Sequence, residues 1–363
     1  MKKAHIPEQL PLQSLTWNEL LSFISRGHRG LAYFDALLQN LPDANLLLSP
    51  LEMQEATLSS RIEGTQATLD EVLRFQAGGQ IETEKRDDIQ EVINYRAAVV
   101  SASKDLESLK LSGRVLKKAH RMLLSGVRGK NKTPGEFRTG PVFVGPLGGT
   151  REQASYIPPD AQHIEALFSN LEKYMNDDEK DVLVQAAIVH AQFEIIHPFW
   201  DGNGRIGRLL IPLFLYSKGI ISAPCLYLSE YLEAHRDDYY KHLNNITTHG
   251  NWQQWIIFFL KAVIAQSQRN AEKAQKIINI KDELIGEIQQ VTHSQYITNI
   301  VYFIIPNPIF TSSQLNRQAK IPRPSIARLL LTLERAGIIS KIYPGRGRRP
   351  SLYAFEPILE AIE

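Results

Sequence analysis

Apolar positions recur along this chain mostly at helical spacing, and glycine or proline marks where each run stops. After punctuation at Pro42-Asp43 and Ser49-Pro50, a proline-free run over 51–75 predicts one long helix, closed by Gly78-Gly79. A second helix is predicted over 87–109, ending near Gly113, and a shorter amphipathic one over 115–125, stopped by Gly126. Between 133 and 159 the pattern changes: Gly and Pro recur every few residues. The β-friendly pieces 142–144 and 155–157 flank Gly145-Pro-Leu-Gly-Gly149, which predicts a hairpin or extended flap. Helical patterning returns over 161–175, 181–196, 204–216, 230–246 and 252–265. The polar stretch 266–281 reads as a connecting helix or a linker, and a separate unit begins near 280. There is no internal repeat and no low-complexity tract.

Composition narrows the class. A chain of 363 residues corresponds to roughly two or three domains at ~150 residues each. With 43% apolar and 22% charged residues it is neither fibrous nor disordered. Lys and Arg number 41 against 39 Asp and Glu, so any basic surface has to be local. The single Cys225, in an apolar stretch, excludes a disulfide framework and reads as a buried, inert thiol. The N-terminus has no apolar run after its lysines, and no apolar stretch is long enough to span a bilayer. The expectation is a soluble, cytoplasmic protein with no membrane partner.

The chemistry concentrates in His197-Pro-Phe-Trp-Asp201-Gly-Asn-Gly-Arg205-Ile-Gly-Arg208. Gly202 to Gly207 satisfy the spacing of a dinucleotide fingerprint, but a helical pattern precedes them where that fingerprint needs a strand. Pro198 ends the preceding helix and leaves His197 at its edge. Gly202 and Gly204 allow a tight loop into the next helix, whose first amides and positive dipole end make an anion site. Arg205 and Arg208, three apart, share a helix face. Asp201 is an oxygen ligand suited to Mg²⁺, and His197 accepts a proton near neutral pH. A base, a metal carboxylate, an amide nest and two arginines within one short segment point to a nucleoside triphosphate and a hydroxyl nucleophile.

The segment resembles the signature of the Fic family, H-P-F-x-[D/E]-G-N-G-R-x-x-R, with every fixed position matched. The likeness extends to Pro134-Gly-Glu-Phe-Arg138, Ile157-Pro-Pro159, Leu226-Tyr-Leu-Ser229 and Tyr239-Tyr240, roughly residues 50 to 250. It implies a mainly α fold: a helical core with a β-hairpin flap over 111–265, preceded by a helical region over 1–110. The activity it implies is transfer of AMP from ATP to a protein hydroxyl. His197 would be the general base on a Ser, Thr or Tyr, and Asp201 would hold Mg²⁺. The segment Gly202, Asn203, Gly204, Arg205, Ile206, Gly207 and Arg208 would bind the phosphates, with Arg208 on the γ-phosphate, while Phe199 anchors the loop in the core.

Upstream, Ser59-Ser-Arg-Ile-Glu63-Gly64 resembles the family's inhibitory motif, [S/T]-x-x-x-E-[G/N]. It implies that Glu63 pairs with Arg208 where the γ-phosphate would bind, a brake carried on the helix over 51–75. In some relatives the same glutamate assists AMP removal, and that alternative stays open. Flap residues Ser155, Tyr156 and Ile157 would pair with an extended segment of the target. Tyr239 is assigned to the adenosine side, against the alternative that an aromatic pair on a helix is core.

The unit over 280–363 resembles a winged helix. Thr311 caps a short helix, Ile321-Pro-Arg-Pro324 is the turn, and a second helix ends at Gly337. Two strands then flank a loop bearing Arg346, Arg348 and Arg349, candidate DNA contacts. Two rivals remain beside a self-modifying adenylyltransferase: a DNA-binding regulator with a nucleotide-sensing core, and a Fic-type enzyme moving another phosphate-containing group. A homodimer rests on resemblance only.

Overall fold

The computed structural model describes residues 4–40, 44–145, 150–345 and 350–362. Two helices buried on nearly every side form its centre: α7 (Val182–Ile196) and α8 (Asn203–Ser217). Such helices have no solvent face and have to be surrounded. Around them pack α1 (Trp17–Gln39), α2 (Asn45–Ile62), α4 (Arg86–Leu106), α5 (Gly113–Leu123), α6 (Ile164–Asn176), α10 (Arg236–His249) and α11 (Trp252–Val291). The short α3 (Leu69–Gln76) and α9 (Ser229–Ala234) close gaps beside α2. The mainly α architecture is as expected. No helix among the described residues is long and apolar enough to cross a membrane.

Two of the expected helices are each broken into two. The run over 51–75 is two helices: α2 ends at Ile62, Glu63 caps it, and Gly64 takes a positive φ of 99°. Thr68 then starts α3 with a reciprocal capping box to Glu71. The stretch over 230–246 breaks at His235 into α9 and α10. Of the two readings of the polar stretch 266–281, the structure has the helix: α11 runs unbroken for 40 residues, about 60 Å. The flap closes on one antiparallel bridge, Val144 to Tyr156, rather than a ladder; the tip over 146–149 lies outside the described residues.

Because α11 passes through position 280, no break falls there. Its distal half supports α12 (Ile297–Ile304), α13 (Ser312–Ala319), α14 (Arg323–Arg335), α15 (Glu356–Ile362) and a three-stranded antiparallel sheet. In that sheet β3 (Leu352–Ala354) lies between β1 (Ile309–Thr311) and β2 (Ser340–Tyr343). One apolar cluster joins this module to Phe34 and Leu38 of α1, Leu51 of α2 and the buried Cys225. Polar ties follow the same seam. Buried Lys273 donates to Gln54 Oε1 at 3.0 Å, Glu230 Oε2 at 3.1 Å and the Ile362 carbonyl at 2.8 Å. Arg346, Arg348 and Arg349 lie outside the described residues.

Candidate active site

The site forms where α7 hands over to α8. His197 caps α7 in the left-handed region, φ 50° and ψ 60°, a sparsely populated conformation for a side-chain-bearing residue. Arg138 holds it there. Its buried guanidinium donates to the carbonyls of His197 at 2.8 Å, Gly140 at 2.8 Å and Pro159 at 2.6 Å, and its backbone N–H donates to Pro198 O. His197 Nδ1 faces the Glu194 carbonyl at 3.3 Å, an acceptor only, so the neutral ring carries its proton on Nδ1 and keeps the Nε2 lone pair free. Burial pushes the imidazole down to about 4, which keeps the ring neutral and able to accept a proton at pH 7.

The loop from 197 to 203 is braced from below. Phe199 is fully buried, stacked on His120 with centroids 3.8 Å apart, and packed near Phe137 and Phe193. His120 bridges the Gly135 N–H at 2.8 Å and the Asp201 carbonyl at 2.9 Å. Asn203 accepts from Phe199 N and donates to Phe199 O, both at 2.9 Å. Its side chain therefore braces the loop. Gly202 takes a positive φ of 76° and starts α8, so the first amides of that helix are presented to the site. Ile206 is buried in the core.

The two arginines part company. Arg205 is buried and pairs with Glu91 of α4 at 3.0 Å, with Asp201 Oδ1 at 3.7 Å. Glu91 also accepts from Thr65 Oγ1 at 3.0 Å. Arg205 thus ties Asp201 and the segment after Glu63 to α4, where resemblance implied a phosphate ligand. Arg208 carries the other half of the site. Its Nε donates to Ser59 Oγ at 2.9 Å, and its Nη2 donates to Ser59 O at 2.9 Å and Glu63 Oε1 at 2.6 Å. Burial alone would push the Glu63 carboxyl up; Arg208, with Arg205 beyond it, outweighs this and holds it below its usual range.

Two glycines of α8 each leave room for a carboxylate. A Cβ on Gly204 would stand 2.2 Å from Glu63 Oε1, and one on Gly207 would stand 2.1 Å from Glu194 Oε1. Glu63 therefore lies against the first turn of α8, among the amides that form the anion nest. Burial pushes the Glu194 carboxyl up to about 8, and its Oε1 has no hydrogen-bond partner. Above Ser59, buried Glu55 fixes α2 in place by accepting from Ser229 Oγ at 2.6 Å and Tyr95 Oη at 3.2 Å.

Tyr239 is buried in the core, where its hydroxyl meets His190 Nε2 at 3.0 Å; His190 Nδ1 in turn donates to Gly207 O at 2.9 Å. Its partner Tyr240 is 40% exposed and faces the field of Glu63 and Arg208. On the flap, Ser155 N, Ser155 Oγ and Tyr156 N all donate to the Val144 carbonyl, and Tyr156 Oη donates to Ile195 O at 2.7 Å. The Ile157 carbonyl accepts from His5 N at 3.1 Å, so the chain's own N-terminal segment occupies part of the edge assigned to a target. Glu91, His120, Arg138, His190 and Glu194 were not singled out from the sequence. Only Arg138, inside Pro134-Gly-Glu-Phe-Arg138, carried a signal.

The Asp201 side chain is 33% exposed at the mouth of the loop. Among the described residues no group of three or more His, Cys, Asp or Glu forms a cage. A lone carboxylate that leaves the other positions to phosphates and water is how Mg²⁺ is commonly bound, so the residues fit that ion.

Fold and site together define a class. Residues 21–104 match the "Fic/DOC family N-terminal" and residues 110–215 the "Fic/DOC family", together more than half of the chain. The chain belongs to the Fic family. It is similar to a probable protein adenylyltransferase of Aquifex aeolicus, 32% identical over 85 residues, 23% of this chain and 27% of that protein. It is 35% identical over 88 residues to the protein adenylyltransferase Fic of Drosophila melanogaster, 23% of this chain and 16% of that one. The match thus spans less than a third of the length of these relatives. A Fic family protein from Desulfovibrio desulfuricans shares the fold over 96% of this chain and 98% of its own, with a TM-score of 0.61 at 20% identity. Fic-1 of C. elegans does so over 74% and 76%, with a TM-score of 0.54 at 20% identity.

Proposed function

We propose that this protein transfers AMP from ATP to a Ser, Thr or Tyr hydroxyl of a protein target, itself included, and that Glu63 holds the reaction in check. One observation carries the reading: Glu63 pairs with Arg208 at 2.6 Å against Gly204, within the anion nest and beside a neutral His197.

In the reaction His197 Nε2 takes the proton as the hydroxyl oxygen bonds to the α-phosphorus. The bond from that phosphorus to the bridging oxygen breaks, and pyrophosphate leaves. Such a transfer asks the protein mainly for alignment and charge stabilisation. The amides at the start of α8 supply fixed donors, and Arg208 supplies a buried cation for the γ-phosphate. Asp201 would hold Mg²⁺, which neutralises charge on the leaving group. With Glu63 on Arg208, the terminal phosphate loses that anchor, and the nucleotide settles with its α-phosphate out of line.

Nucleotide choice tests the reading. The Glu63→Gly chain, given ATP, UTP or GTP with Mg²⁺, should gain the mass of AMP from ATP and only weakly gain UMP or GMP. A preferred gain of another group would replace AMP transfer with a different Fic-type reaction.

A further inference from the structure

The C-terminal module concentrates positive charge that the rest of the chain lacks. From Ile309 to Tyr353 the sequence holds nine Lys and Arg and one acid, Glu334, in a chain whose net charge is only +2. The remainder is therefore net negative. Glu334 is already paired with Lys341 at 2.7 Å. Arg317 on α13, Lys320 in the turn, and Arg323, Arg328 and Arg335 on α14 are exposed, and none makes an ion pair with a described residue. Unpaired arginines gathered on one element are the footprint of a polyanionic partner.

Their geometry narrows the partner. Ile326, Leu329, Leu330 and Leu333 bury one face of α14. Positions 323, 327, 328, 331 and 335 repeat at three- and four-residue spacing and form its solvent stripe. A turn over 320–322 joins α13 to α14, and the β2–β3 pair follows, the element order of a helix-turn-helix whose second helix keeps an exposed face. A helix with its side chains is about 10–12 Å across, and the B-form major groove is about 12 Å wide. Within the stripe, Ala327 and the 45% exposed Leu331 lie among the arginines. Small apolar groups suit thymine methyls, as guanidinium groups suit guanine edges and phosphates. The stripe carries no aromatic residue on which single-stranded bases could stack, and the A-form groove of duplex RNA is too narrow for a helix.

We propose that the exposed face of α14, with Arg317 and Lys320 beside it, is a docking surface for duplex DNA. The inference stands apart from AMP transfer, since it uses no residue of the α7–α8 site.

The test is fluorescence anisotropy of a labelled DNA duplex with the full chain over a range of salt concentrations. Each phosphate contact adds about 0.9 to the slope of log K against log salt. Wild type should show a slope steeper than about −3, from the five exposed cations. Arg323→Ala/Arg328→Ala should bind at least tenfold more weakly, with the slope shallower by about two. Arg323→Lys/Arg328→Lys, which keeps the charge, should retain most of the slope and so separates loss of charge from loss of fold. Lys104→Ala, an exposed position on α4, should bind as wild type. Absence of salt-sensitive binding, undiminished binding by the double alanine variant, or equal affinity for duplex RNA or a single strand would each overturn the proposal.

Discussion

Arg208 and Glu63 meet at 2.6 Å against the Cα of Gly204, so the brake and the anion nest occupy the same few ångströms. Release and nucleotide binding therefore act on one pair of atoms. The pair is held from both sides: Ser59 grips Arg208 through its hydroxyl and its carbonyl, and Glu63 caps the same helix one turn later.

Removing Glu63 leaves a buried guanidinium with no counter-ion. Arg208 is buried but the Glu63 side chain is 30% exposed, so the cost falls below the about 3–5 kcal/mol of a fully buried pair. Glu63→Gly should therefore lower the thermal midpoint of the nucleotide-free protein, and ATP should raise it by more than in wild type. Equal ATP-induced shifts in the two proteins would show that Arg208 does not receive the terminal phosphate.

Gly204→Ala tests the shared space directly. Its Cβ would come 2.2 Å from Glu63 Oε1 and 3.1 Å from Arg208 Nη1. Overpacking of this kind costs about 1–3 kcal/mol. The cost, read by chemical denaturation, should fall well below that in a Glu63→Gly background. Equal costs in both backgrounds would separate Gly204 from the brake.

His190 makes stability fall on acidification. Burial pushes its imidazole down to about 3, from an ordinary value near 6.5. A depressed value contributes stability that is complete above pH 6.5 and is lost as pH falls toward 3. Between pH 7 and 5 the loss is about 2 kcal/mol. Glu194, pushed up to about 8, acts in the opposite sense, its contribution fading as pH rises toward 8. The comparison is therefore between wild type and His190→Gln: the variant should lose less stability from pH 7 to 5. Identical losses would refute the assignment.

Lys273 ties α2 to α9 and α15, and through α2 it bears on Glu63. Lys273→Met should loosen α2 and raise AMP transfer several-fold, with no further gain in the Glu63→Gly background. No gain in folded protein that keeps Glu63 would show that the C-terminal module does not help to seat the brake.

Much of the site was legible from the sequence because its residues are close in the chain. Spacing within 197–208 alone put a base, a carboxylate and an anion nest around one helix start. The Glu63–Arg208 pair was reachable only through resemblance, since 145 residues separate its partners. For Arg205 and Asn203 neither spacing nor resemblance says which neighbour a side chain bonds, and the structure gives them Glu91 and Phe199. Tyr239 is core for the same reason, its hydroxyl taken by His190. The helix break at Glu63 went unread because Gly64, which takes a positive φ of 99°, stands in an otherwise helical pattern. The polar stretch of α11 is helix through contacts with α1, α2 and α15 that local composition does not record.

The most direct test of the account is intact-protein mass after incubation with ATP and Mg²⁺. Wild type, Glu63→Gly and Glu63→Gly/His197→Ala should be compared at equal amounts of folded protein. The account predicts little or no added mass on wild type, addition of AMP to Glu63→Gly, and none on the double variant. Equal addition to wild type and Glu63→Gly, or addition that persists without His197, would contradict it.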